Sequence, residues 1–166
     1  MLQAGSLDIG FLRLPIGEQS ALDVVTVHRE PFVLVVPSSH KLAKRKRVRL
    51  REVAGQDFVM YERTYAPGFH DSIVGILRDA GIVPNVTQTA VEIPMLISLV
   101  ASGMGITILP ASTVKHSAAS VVACGILDRI PMVEIGIAVS KRLRTPVVDN
   151  FRSFALKTLG HSMHAS

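Results

Sequence analysis

Two amphipathic stretches, each followed by a glycine and flanked by extended apolar runs, do most to limit what this chain can fold into. Phe69, Ile73, Ile76, Leu77 and Ala80 fall at offsets 0, 4, 7, 8 and 11, one face of an α-helix. Ile93, Leu96, Ile97, Val100 and Ala101 follow at offsets 0, 3, 4, 7 and 8, a second such face. Gly81 and Gly103 stand where a left-handed C-terminal cap is needed, and Pro94 suits a first helical turn. Residues 7–12, 22–27, 58–61, 86–91, 106–109, 121–124 and 133–139 read as extended. The continuous run 32–36, closed by Pro37, suits a strand buried on both faces. Thr145 and Pro146 predict the N-cap and first position of a last helix, with Val147, Val148, Phe151, Ala155 and Leu159 on its inner side. Strands alternating with helices predict an α/β fold with a largely parallel sheet and right-handed crossovers.

Composition narrows the class. The 166 residues suffice for one domain or two small lobes, and 48% hydrophobic with 19% charged residues is a globular balance. No apolar run approaches the roughly 18 residues needed to span a bilayer, so no membrane partner is expected. Residues 1–6 lack a basic, apolar leader pattern, so a signal peptide is not expected. The single cysteine, Cys124, cannot form an internal disulfide, which fits a reducing cytoplasm, and its apolar run predicts a buried structural thiol. The tail from residue 160 to 166 reads as frayed.

The net charge of +5 is local: Lys41, Lys44, Arg45, Lys46, Arg47, Arg49 and Arg51 supply seven of 18 basic residues, and removing them takes the net charge to −2. No aromatic residue interleaves with them to stack on bases. The run reads as a solvated loop, with a weak phosphate or partner contact as the alternative.

Enzymatic patterns are weak. Ala101-Ser102-Gly103-Met104-Gly105 has its glycines at the wrong offsets for a nucleophile elbow, and Gly103-x-Gly105 lacks the third glycine of a dinucleotide loop. Nothing local supports Cys124 and His116 as nucleophile and base. His161 and His164, three apart in the tail, read as solvated rather than metal-binding. No catalytic residue, cofactor or metal is expected.

One segment has the character of a ligand site. Residues 61–69 link a strand end to a helix start, where an open α/β sheet receives ligands and where a helix offers unpaired N–H groups to an anion. Gly68 lets the backbone approach a ligand and Phe69 can pack on a ring; the other reading is an ordinary loop with Phe69 in the core. Arg13, at a strand end before Pro15, can clamp a carboxylate or pair with a protein acid such as Glu30.

Three segments together resemble the effector-binding domain of LysR-type transcriptional regulators. Residues 3–11 (QAGSLDIGF) are similar to the family's L-x-x-G-x-L-D-hydrophobic-G signature. Residues 30–43 (EPFVLVVPSSHKLA) resemble its entry into the second lobe, with Lys41 where proline is usual. Residues 99–110 (LVASGMGITILP) resemble V-A-x-G-x-G-I-x-L-L-P, the most specific of the three. The runs 11–15 and 67–69 resemble members that control catabolism of aromatic compounds.

The resemblance implies two Rossmann-like lobes, as in type 2 periplasmic binding proteins. The first, incomplete, would hold residues 1–29 and 133–166, the second residues 30–132, with crossings near 28–32 and 130–133. It implies a small organic acid, aromatic or dicarboxylic, bound between the lobes to modulate transcription. By position Arg13, His28 and Glu30 would line the first-lobe floor and hinge. Thr64, Pro67, Gly68 and Phe69 would form the second-lobe wall, with Glu92, Ile93 and Pro94 flanking the cleft. The family's helix-turn-helix, linker helix and first strand–helix–strand are expected to lie outside this chain, so promoter DNA would be reached only through that absent domain. A missing first strand would leave the 7–11 strand with an open edge, and self-association into a homo-oligomer is expected to cover it. The competing function is a solute-binding protein for transport.

Overall fold

The computed structural model describes residues 2, 6–16, 21–115, 120–142 and 144–161, with only the backbone at 160 and 161. The expected first-signature residues Gln3 to Gly5, the Gly17 loop, His116 and the end of the tail with His164 lie outside these. The chain divides into two compact units, Met1–Arg29 with Val133–Ser166, and Glu30–Met132.

In the first unit, strands β1 (Ile9–Leu14), β2 (Leu22–Glu30, its last residue belonging to the second unit) and β9 (Val133–Ser140) form one sheet in the order β1-β9-β2. Strand β1 runs antiparallel to β9, from Ile9 opposite Val139 to Leu14 opposite Glu134. Helix α3 (Pro146–His161) covers one face. Val27, Ile137 and Ala155 are its buried centre, with Ile9, Ile135, Leu156 and Leu159 packed around them. The inner side of α3 differs from the expectation. Val148 and Ala155 are buried, but Val147 is 77% and Phe151 48% exposed. Arg152 sets this phase: it faces inward with Val148 and Ala155, and its guanidinium reaches Asp23 at 2.9 Å.

The second unit is built around β3 (Phe32–Pro37), whose Leu34, Val35 and Val36 are fully buried as a continuous β-branched run requires. It lies between β7 (Thr107–Pro110) and β8 (Val121–Ile126), antiparallel to both. The short β4 (Arg47–Val48) extends the sheet alongside β8, in parallel. Strands β5 (Asp57–Tyr61) and β6 (Asn85–Ala90) form a parallel pair with helix α1 (Pro67–Asp79) as the crossover. Helix α2 (Ile93–Ala101) carries the chain from β6 to β7, and a parallel bridge from Phe58 to Ile106 brings β5 and β7 together.

The α/β class stands, but the pairing is not largely parallel: β1–β9, β3–β7 and β3–β8 are antiparallel, and β4–β8 and β5–β6 are parallel. Among the described residues, α-helices connect consecutive strands only from β5 to β7, and the residues between β8 and β9 hold no helix. Both helix ends follow the glycine expectation. Gly81 and Gly103 take φ of 75° and 81°. Beyond α1, Ile82 N–H returns to Leu77 and Gly81 N–H to Arg78; beyond α2, Met104 returns to Leu99 and Gly103 to Val100, the paired bonds of a Schellman cap. Cys124 is fully buried, and desolvation pushes its thiol up from the ordinary value.

Candidate ligand-binding site

The carboxyl ends of β5 and β6 lie side by side because the two strands run parallel, and the loops leaving them stay joined. Glu62 N–H donates to Ala90 O at 2.8 Å, and Thr89 Oγ1 donates to Glu62 Oε2 at 2.9 Å. This brings the start of α1, with Thr64, Pro67, Gly68 and Phe69, beside the start of α2, with Glu92, Ile93 and Pro94. Neither helix has an acidic residue in its first turn or a side-chain cap, and each carries proline there. First-turn N–H groups have no partner within their own helix, so this end of the sheet presents two positive helix termini.

The charges around them are largely committed. Arg63 holds Asp71 through two bonds, Nε to Oδ1 at 2.8 Å and Nη2 to Oδ2 at 3.0 Å. The pair, with a further hydrogen bond from His70, holds the Asp71 carboxyl down from 3.8 to about 2 and raises the Arg63 guanidinium. Glu62 is kept below the usual carboxylate range, first by the Thr89 hydroxyl. Thr64 Oγ1 donates to Glu62 Oε1 at 3.4 Å, a long bond that a better acceptor can replace. With Glu62 and Glu92 nearby, what the helix starts offer an anion is directional N–H donors rather than net positive charge.

Two expected site residues have partners within their own unit. Phe69, expected on the ligand wall, is buried, its ring 5.8 Å from Tyr61 edge-on and 6.2 Å from Phe32. Glu30, expected at the hinge, is the first residue of the second unit and is only 5% exposed. Its Oε2 accepts from Ser112 N–H at 2.6 Å and its Oε1 from Ser112 Oγ at 2.8 Å. In the first unit, Arg13 is part-buried on β1 opposite Ile135, and His28 is exposed on β2 between core Val27 and Arg29, which pairs with Glu134 at 2.7 Å. Sequence reasoning included Tyr65 in the 61–69 segment without giving it a role and missed Val91 and Met95; all three are exposed apolar side chains around the starts of α1 and α2. Their signal was local: apolar residues falling off the helical stripe at a strand-to-helix junction.

This fold and site define a ligand-binding domain of the LysR class. The match to the LysR substrate binding domain runs over residues 1–160, and the chain belongs to that family. It is 32% identical over 156 residues to an uncharacterised HTH-type transcriptional regulator, YnfL, of Escherichia coli K12, covering 93% of this chain and 52% of that protein. It is 30% identical over 140 residues to the regulator BenM of Acinetobacter baylyi, covering 83% of this chain and 46% of that one. The chain thus spans about half the length of such relatives. Among solved structures, the BenM effector binding domain with its effector benzoate superposes with a TM-score of 0.80 at 26% identity, covering 99% of this chain and 72% of that one. The effector binding domain of QuiR in complex with shikimate shares the fold, with a TM-score of 0.80 at 21% identity over 96% of this chain and 75% of that one.

Proposed function

We propose that this chain is the ligand-sensing part of a LysR-type transcriptional regulator, and that its effector is a small organic acid with an aromatic or otherwise apolar body. The carrying observation is the pairing of two uncapped helix N-termini with exposed Tyr65, Val91 and Met95 at one end of the β5–β6 pair. Helix N-termini favour a carboxylate, and the apolar side chains favour the rest of such a molecule. The benzoate bound by the BenM effector domain supports the same ligand class.

In this proposal the two compact units are the family's two lobes. Thr64, Pro67, Gly68, Phe69 (through its backbone), Glu92, Ile93 and Pro94 are the contacts offered by the second unit. Arg13 and His28 are those offered by the first, and Glu30 is a fastener rather than a ligand contact. The effector acts without catalysis, by its differential affinity for two conformations. In the same proposal the regulator is cytoplasmic and oligomeric, and it reaches its promoter through a helix-turn-helix of the kind that the relatives' names give for them. A thermal-shift panel of benzoate, muconate and neutral analogues tests the ligand class. An acid should raise Tm with a saturating dose dependence; no rise with any acid, or equal rises with the neutral analogues, would remove it.

A further inference from the structure

We infer that residues 41–51 form a fixed cationic platform for the phosphate backbone of duplex DNA, a contact additional to any helix-turn-helix. The sequence reads this run as a solvated loop; the fold gives it a frame. Val48 and Leu50, both fully buried, alternate with exposed Arg47, Arg49 and Arg51. Strand β4 is tied to β8 by Gly125 N–H to Lys46 O and Leu127 N–H to Val48 O, each 2.9 Å. Leu50 N–H donates to Asp128 Oδ2 at 2.7 Å, and Arg49 N–H to Glu52 Oε1 at 2.8 Å. The turn ahead of the strand is pinned by buried Leu42 and by Ala43 N–H to His40 O and Arg45 N–H to Leu42 O, each 2.9 Å. A glycine at 125 leaves room for the Arg47 stem: a Cβ there would stand 3.2 Å from Arg47 Cγ.

Among the described residues, Arg45 alone of the seven cations has an acidic partner, Glu52 at 3.5 Å. The other six point charges at solvent from a backbone that is already ordered, so binding them needs no further ordering of the main chain. The partner's class follows from what the platform lacks. Protein interfaces centre on buried apolar or aromatic anchors, and no large apolar side chain between residues 38 and 56 is exposed. A phosphate backbone needs only cations and carries no sequence information. The choice of DNA over other polyanions rests on the regulator reading above.

The test is fluorescence anisotropy of the chain with a labelled mixed-sequence 30-base-pair duplex, without effector, across a salt series. The expected affinity is weak, on the order of 1–100 μM near physiological salt, with a steep salt dependence. Replacing Lys41, Lys44 and Lys46 together by Gln should reduce the log–log salt slope by about 2.7, and replacing the same three by Arg should preserve it. These lysines are exposed, so an unchanged melting temperature confirms that the variant is folded. An unaltered slope in the Gln variant would overturn the proposal, as would absence of duplex binding at low salt or tighter binding to polyglutamate than to duplex. Failure here with an intact acid-induced Tm shift would sink the platform and leave the sensor reading standing.

Discussion

Glu30 ends β2 with both carboxylate oxygens accepting from Ser112, and Ala111 N–H donates to Pro31 O beside it at 3.0 Å. A hydrogen bond to a charged acceptor contributes more than a neutral one, so Ser112→Ala should lower unfolding free energy by about 1.5 kcal/mol, read by urea denaturation, while Ser112→Thr should recover most of it. The sequence could mark Glu30 as an acid at a strand end but could not reveal its partner, which lies 82 residues away in the chain. Phe69 was ambiguous for the opposite reason: an aromatic at a helix start suits both a ligand wall and a core. Its ring packs on Phe32 and Tyr61 in the second unit. Asp71 yields a pH prediction. Its carboxyl is held at about 2 in the fold against 3.8 without its partners. The depressed value means that the Arg63–Asp71 link contributes fully above the ordinary value and is lost as pH falls through the folded one. An NMR titration of the Asp71 carboxyl should give a midpoint near 2, moving toward 3.8 in Arg63→Ala; an unmoved midpoint would remove Arg63 as the cause.

At the scale of elements, local rules carried far. The caps beyond α1 and α2, the buried β3 and the strand-to-helix junctions were all legible, because glycine, proline and β-branched runs act over a few residues. The phase of α3 was not. Val147 and Phe151 lie at one edge of the arc that Val147, Val148, Phe151, Ala155 and Leu159 share, and the packed face is turned away from that edge toward Arg152, which meets Asp23 in a long-range ion pair. Val148→Ser should therefore destabilise the chain measurably, whereas Val147→Ser should change Tm little. Strand direction escaped for the same reason: periodicity reports which residues are buried, and not which way the neighbouring strand runs. Close approach gives a further prediction. A Cβ on Gly105 would stand 2.8 Å from Asp57 O, where Ile106 N–H donates to that same oxygen at 2.9 Å. Gly105→Ala must push β5 and β7 apart, and a loss of about 1–3 kcal/mol in denaturant unfolding is expected.

Over the whole molecule, β1 is the outer strand of its three-stranded sheet, with exposed Leu7 and Phe11 on or beside it. An exposed edge strand is self-complementary, since its free donors and acceptors fit a second copy. Light scattering should show reversible association that rises with concentration; a stable monomer at high concentration would leave the edge without that role. The family could be read from three short motifs. The site could be read only in part, because the joining of two loops through Glu62, Thr89 and Ala90 follows from strand pairing rather than from either loop's residues. The central claim is that an organic acid is received at the paired helix starts beyond β5 and β6. Amide NMR of the chain titrated with benzoate tests it most directly. Saturable shifts concentrated at residues 64–69 and 92–95 are expected. Shifts that fail to saturate, or that cluster instead around the cavity lined by His40, Gln56 and Gly103, would contradict it.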